Sequence, residues 1–227
     1  MNSVRDTFSG IADVYDRMNH ALSLGLDRRW RRIAARSTGG APSEILGLAC
    51  GTGDMSLELA RRFPGAHLTG VDLTPEMLAS ARRKCAAEMR MSFVEGDAAE
   101  LPFGRGGDTR RFDLAACAWG FRNFPDKAKA LLECARVLAP GGRLVVLEFF
   151  RPRNRILGAL TALWLRALAP VLAPGRRAAY VYLRESIGGT LSEGEFAALA
   201  DKAGFAVESR RFLFPACTCL VFARRAT

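Results

Sequence analysis

The chain reads as an α/β protein built on a doubly wound, mostly parallel, seven-stranded sheet. Strand-length apolar runs and helical patterns alternate five times along its 227 residues, and such alternation builds βαβ units. Ile45-Leu46-Gly47-Leu48 breaks into Ala49-Cys50-Gly51-Thr52-Gly53-Asp54, and a helical pattern follows. Strand, glycine turn and helix together bring a nucleotide-like ligand against backbone N–H groups. His67-Leu68-Thr69-Gly70-Val71 then ends in Asp72, a carboxylate at the tip of the neighbouring strand, where it can accept ribose hydroxyls.

The elements follow in order. Residues 1–36 form two helices in this reading, with Phe8, Ile11, Tyr15 and Met18 at helical spacing and Asp27 capping the second. Both are expected over the open side of the ligand site, outside the sheet. Ile45–Leu48 and His67–Asp72 are the first two strands. Asp54 caps the helix between them, which carries Leu57, Leu59 and Ala60. Thr74-Pro75-Glu76 starts a helix to about Ala87, with Pro at its first position. Met91–Val94 is a third strand, and Asp97 falls at its C-terminal end, the edge where open parallel sheets bind ligands. Phe112–Ala118 is a buried strand running into Trp119-Gly120-Phe121-Arg122-Asn123. A helix over Asp126–Leu138 stops at Pro140-Gly141-Gly142, and Leu144–Phe149 is the fifth strand. Residues 156–172 read as an apolar helical stretch and Glu195–Lys202 as a helix. Phe205–Glu208 and Cys219–Phe222 are the last two strands.

Length and composition suit one α/β domain over residues 1–227, with residues 1–36 as a helical cap and 151–190 as an inserted helical lid or membrane-facing segment. No secretory signal and no membrane-spanning run is read, so a cytoplasmic setting is expected. The six cysteines do not form a disulfide framework, and Cys217-x-Cys219 reads as a reduced pair on a strand. With only two histidines, no metal site is expected.

The glycine turn alone does not choose its ligand. It fits NAD, although Ser56 stands where a third glycine or alanine is usual, and it fits S-adenosylmethionine. A dehydrogenase would add a second half with its own catalytic residues, and the chain has no such half. Nucleic-acid methylation is disfavoured, because no target-base motif is present and no aromatics interleave the basic run. No nucleic-acid partner is expected.

Five blocks then carry a resemblance. Phe8-x-x-Ile11-Ala12-x-x-Tyr15-Asp16-x-Met18-Asn19 with Leu22-Ser23-x-Gly25 and Trp30-Arg31 is the first, and Ala49–Asp54 the second. Gly120-Phe121-Arg122-Asn123 is the third, Arg136–Phe149 the fourth, and Tyr182-Leu183-x-Glu185-Ser186-Ile187 the fifth. Together they resemble the ubiquinone/menaquinone biosynthesis C-methyltransferases, from about Phe8 to Phe205. The second and fourth blocks are common to many methyltransferases, and the other three are far more specific.

The resemblance implies a Rossmann-like class I methyltransferase using S-adenosyl-L-methionine to methylate the ring of a polyprenyl quinol. It implies cofactor contacts from Gly51, Thr52, Gly53, Asp72, Leu73, Asp97, Ala98 and Ala118. Arg122, Asn123 and Tyr15 become the catalytic candidates, and Trp119, Tyr182 and Glu185 the substrate candidates. Arg122 would favour the ionised ring hydroxyl, and Asn123 would orient it. An Arg–carboxylate ion pair supporting the loop is the alternative role for Arg122. The family usually has an acid where Gly47 stands, which would help hold the cofactor's ammonium. Two other functions stay open: methylation of another small aromatic or lipid by the same fold, and a non-catalytic scaffold of a quinone-biosynthesis complex.

The charge is uneven. Residues 1–150 hold 21 Lys+Arg and 18 Asp+Glu, a net of +3, whereas residues 151–227 hold 12 and 5, a net of +7. Arg151 to Arg184 contains seven arginines and no acid. The uncharged run Ile156–Leu165 would make about 15 Å of helix against a hydrocarbon core of ~30 Å, enough to lie in an interface but not to cross it. Peripheral association with an anionic membrane surface is therefore expected, with a homodimer as a further candidate assembly.

Overall fold

The computed structural model describes residues 15–23, 25–107, 109–151, 188–214 and 217–225, together with Ser9 and Leu163. The described helices are α1 (Tyr15–Leu22), α2 (Leu26–Ser37), α3 (Asp54–Arg62), α4 (Pro75–Lys84), α5 (Lys127–Val137) and α6 (Glu193–Lys202). The strands are β1 (Glu44–Leu48), β2 (His67–Asp72), β3 (Met91–Glu95), β4 (Phe112–Ala118), β5 (Leu138–Glu148), β6 (Phe205–Leu213) and β7 (Cys217–Arg224). The sheet order is β3-β2-β1-β4-β5-β7-β6. The β1–β2, β2–β3, β1–β4 and β4–β5 pairs are parallel, and β7 runs antiparallel to both neighbours. The order reverses between β1 and β4, the switch point where open sheets take ligands.

Alternation along the strands builds two cores. Leu46 and Leu48 of β1, Ala115 and Cys117 of β4, and Leu144 and Val146 of β5 face the layer of α5 and α6. Their neighbours Ile45, Leu114, Ala116, Val145 and Leu147 face the layer that includes Trp30 and Leu59. A strand covered on both faces must be apolar at every position, which is why the central strands read as unbroken runs.

Several boundaries differ from the sequence reading. The α2 helix packs on one face of the sheet, with Trp30, Ala34 and Ala35 buried in the second core. Asp27 is not its cap, since Gly25 holds that position. Gly53 likewise caps α3 in place of Asp54, with a φ of 87° that a side chain would strain. The α4 helix ends at Lys84 with the Cys85 N–H returning to Ala81. The α5 helix stops at Val137, before the glycine pair, and β5 begins at once. Phe112 pairs with Leu138 and Leu114 with Arg143, so Pro140-Gly141-Gly142 is absorbed as an irregularity in the ladder. Antiparallel pairing also carries β6 and β7 beyond their apolar centres to nine and eight residues.

The apolar stretch 156–172 lies outside the described residues. Arg151 is described, and its guanidinium meets Glu195 at 2.7 Å. The basic run therefore has an acid beside its first residue that the local sequence did not reveal. Among the described residues no helix is long and apolar enough to cross a membrane.

Candidate active site

Four strand ends make the site. Asp72 closes β2, and each of its oxygens takes a backbone N–H, from Gly51 at 2.8 Å and from Thr74 at 2.9 Å. The carboxylate thus locks the glycine turn to the neighbouring strand while keeping lone pairs for a ligand. Burial raises its pKa above the ordinary value, and the N–H groups of Gly51 and Thr74 offset part of that. Asp97 follows β3 and accepts the Ala99 N–H at 2.8 Å, a turn bond that holds it at the same edge. Beyond β1 and β4, Ala49 and Trp119 stand at φ 46° and 57°. Positive φ at residues other than glycine is costly and clusters at functional sites. At Gly120 an added Cβ would come within 2.7 Å of the Cys117 sulfur and 2.9 Å of the Ala49 Cβ, so only glycine allows this approach.

Two adjoining cavities open here. The larger, about 160 Å³, is lined by Asp72, Leu73, Asp97, Ala98 and Asn123 among others. Thr74, Met77, Phe124 and Pro125 also line it. The smaller, about 30 Å³, is lined by Arg31, Gly47, Thr52, Asp54 and Ser56 among others. Tyr15, Ala49, Gly51, Ala118 and Trp119 border both. The expected set Gly51, Asp72, Leu73, Asp97, Ala98, Ala118, Trp119, Asn123 and Tyr15 is therefore brought together.

Three expected residues sit elsewhere or act differently. Gly53 borders neither cavity. It caps α3, and a Cβ there would meet the Cys85 sulfur at 3.0 Å. Thr52 borders only the smaller cavity, and its hydroxyl donates to Asp16. Arg122 is not among the lining residues; its Nη1 lies 2.8 Å from Glu148 Oε1 and donates to the Trp119 carbonyl at 2.8 Å. This is the loop-supporting ion pair that the sequence reading set beside the catalytic role. Tyr182 and Glu185 lie outside the described residues.

The sequence reading missed a set of charges under the smaller cavity. Arg31 is buried, with Nη1 2.6 Å from Asp27 and Nη2 3.3 Å from Asp54, and its guanidinium lies 4.6 Å from the centre of the Trp119 ring. Lys84 reaches Asp16 and Asp54, each at 2.5 Å, and donates to the Thr52 hydroxyl at 3.0 Å. Three carboxylates thus share two cations. In this cavity Gly47 offers no acid and Asp54 does. Spacing could have hinted at part of this, because Asp27 and Arg31 are four apart on one helix face. Lys84 comes from another element, and no local signal marks it.

Titration narrows the chemistry. Burial raises the Tyr15 phenol above its ordinary value, against Arg122, a hydrogen bond with Asn19, and Arg31. Tyr15 is therefore a neutral hydrogen-bond donor at neutral pH. Burial also pushes the Cys50 thiol well up, which removes it as a nucleophile.

The family model of the ubiE/COQ5 methyltransferase family matches residues 1–220. The demethylmenaquinone methyltransferase of Thermus thermophilus is 45% identical over 212 residues, covering 91% of this chain and 94% of that protein. The enzyme of the same name from Deinococcus radiodurans is 40% identical, covering 93% and 88%. The ubiquinone/menaquinone biosynthesis C-methyltransferase UbiE of Syntrophotalea carbinolica is 39% identical, covering 88% and 85%. Among solved structures, a Haloferax volcanii methyltransferase in complex with a methyltransferase activator superposes with a TM-score of 0.71, at 21% identity over 99% of this chain and 100% of that one. A SAM-dependent methyltransferase from Aquifex aeolicus gives 0.64 at 15% identity, over 86% and 89%. The last two show the fold. With its matched length and these identities, the chain belongs to the ubiE/COQ5 methyltransferase family.

Proposed function

We propose that the chain methylates a ring carbon of a polyprenyl quinol at the cleft between Asp72, Asp97 and Trp119. The family makes it an S-adenosylmethionine-dependent methyltransferase of quinone biosynthesis. The observation that carries the site assignment is the Asp72 carboxylate. It is pinned by two backbone N–H bonds at the sheet's switch point, with oxygens still able to accept hydroxyls.

The residues fit the cofactor. Asp72 suits the ribose hydroxyls, and Asp97 and Ala98 the adenine edge. Gly51 leaves the backbone open beside the cavity, and the smaller cavity, with Arg31 and Asp54, suits an amino-acid zwitterion. When bound, S-adenosylmethionine supplies an electrophilic methyl group. The chain's own residues then do three things. The walls of Leu73, Met77, Phe124 and Pro125 accept an apolar ring and keep water from it. The Tyr15 hydroxyl and the Asn123 amide orient a ring oxygen by hydrogen bonding. The Arg122 charge, held by Glu148 behind the wall, favours the ionised form of that oxygen from a distance.

This substrate calls for peripheral contact with an anionic membrane, because a polyprenyl quinol resides in the bilayer. The basic run 151–184 supplies the charge. The deciding experiment supplies purified protein with S-adenosylmethionine and, separately, a demethylated naphthoquinol and a benzoquinol bearing a prenyl tail. Mass spectrometry is expected to find a C-methylated product from at least one. Cofactor binding with no methylation of either would refute the quinol reading.

A further inference from the structure

We propose that Lys84 is a positioning residue that latches the N-terminal helix over the cofactor cleft and sets how fast the spent cofactor leaves. Its ammonium meets three oxygens from two parts of the chain. Asp54 Oδ1 and Thr52 Oγ1 belong to the glycine turn and the start of α3, at 2.5 and 3.0 Å. Asp16 Oδ2, at 2.5 Å, belongs to α1. The Thr52 hydroxyl in turn donates to Asp16. The ammonium donates to Thr52 and Asp54 and forms an ion pair with Asp16.

The junction matters because of what α1 carries. Asp16 adjoins Tyr15, whose ring borders both cavities and lies close enough that a Cβ on Gly51 would touch it at 3.9 Å. Holding Asp16 therefore holds Tyr15 against the glycine turn. The other end of α4 makes a second tether: Ser9 donates to Glu76 at 2.7 Å. Eight residues of helix separate Glu76 from Lys84, about 12 Å, so α4 grips the N-terminal segment at two points beside the cleft.

The burial of the group suits a latch. The Lys84, Asp16 and Asp54 side chains are 26%, 39% and 28% exposed. Water and salt reach such a pair, and pairs of this kind contribute little individually. The Arg122–Glu148 pair, 6% and 1% exposed, is shielded from water and salt by contrast. A methyltransferase must release its demethylated cofactor every cycle, and a weak, wet ion pair can open on that timescale.

The test is the release rate of S-adenosylhomocysteine, measured by stopped-flow displacement at low and high salt. Lys84→Met is expected to speed release about threefold and to abolish its salt dependence. Asp16→Asn should do the same from the other side, and the double variant should add nothing further, the signature of one shared interaction. Lys84→Arg should restore slow, salt-sensitive release. Asp16→Asn changes a half-exposed side chain and keeps the test open if Lys84→Met folds poorly. Unchanged release in both single variants, or effects that add in full, would overturn the latch. The inference rests on the cofactor placement proposed above. Failure of the wild type to bind S-adenosylhomocysteine would overturn both, whereas normal binding with unaltered release would overturn the latch alone.

Discussion

The Arg122 guanidinium and the Glu148 carboxylate form an ion pair at 2.8 Å, with side chains only 6% and 1% exposed. Glu148 also accepts the backbone N–H of Arg122 at 3.1 Å and of Phe149 at 2.8 Å. Arg122 also donates to the carbonyl of Trp119, the residue at positive φ that borders both cavities. The pair therefore ties the ends of β4 and β5 together and props the wall of the site.

Arg122→Ala should lower both stability and turnover. Removing one partner of a buried pair leaves an uncompensated charge, at a cost of about 3–5 kcal/mol, so urea unfolding should show a large loss. Turnover, compared at equal folded fraction, should fall far more than cofactor affinity if the Arg122 charge acts on the substrate oxygen. Wild-type turnover per folded molecule would leave Arg122 as an anchor only.

Gly47 has less room than its sequence context suggests. A Cβ there would meet the Ser56 hydroxyl at 3.2 Å and the Cys50 Cβ at 3.5 Å. Gly47→Asp is expected to tighten S-adenosylmethionine binding more than adenosine binding only when combined with Ser56→Ala. Calorimetry with both ligands decides this, and equal effects on the two would show that position 47 does not face the ammonium.

Glu133 predicts an acid-sensitive fold. It accepts from Arg136 at 2.8 Å, from the Leu101 N–H at 2.9 Å and from Arg105 at 3.1 Å. Hydrogen bonds from Arg136 lead in lowering its pKa from 4.5 to about 2. A depressed folded-state pKa stabilises above the unfolded value and loses that stability as pH falls. Glu133→Gln should therefore destabilise by about 1–3 kcal/mol near neutral pH. The gap to wild type should close as pH drops through the window from 4.5 to about 2. Thermal melts across that range test it, and a pH-independent gap would contradict the ion-pair origin.

The arginines of the basic run should not contribute equally to membrane binding. Arg151 is paired with Glu195, so Arg151→Gln should leave co-sedimentation with anionic vesicles nearly unchanged at low salt. Changing Arg153, Arg155, Arg176 and Arg177 together to Gln should abolish it, at about 1 kcal/mol for each arginine near the surface. Equal pelleting of all three proteins would rule out the run as a membrane contact.

The sheet and its ligand edge were legible in the chain because they are written in local patterns. Apolar strand runs, the Gly51–Gly53 turn and the terminal acids Asp72 and Asp97 each follow from spacing along one element. The family was legible from short blocks around Tyr15, Ala49–Asp54 and Gly120–Asn123. What the fold decided is what joins distant segments. It put α2 into the core through Trp30, Ala34 and Ala35. It set Arg122 against Glu148, 26 residues away, and Lys84 against Asp16 and Asp54. Ion-pair choice depends on distances of a few ångströms and on the water excluded around the groups. Neither is encoded in local spacing, so only tertiary packing assigns a partner to each of the chain's 33 Lys and Arg residues that has one.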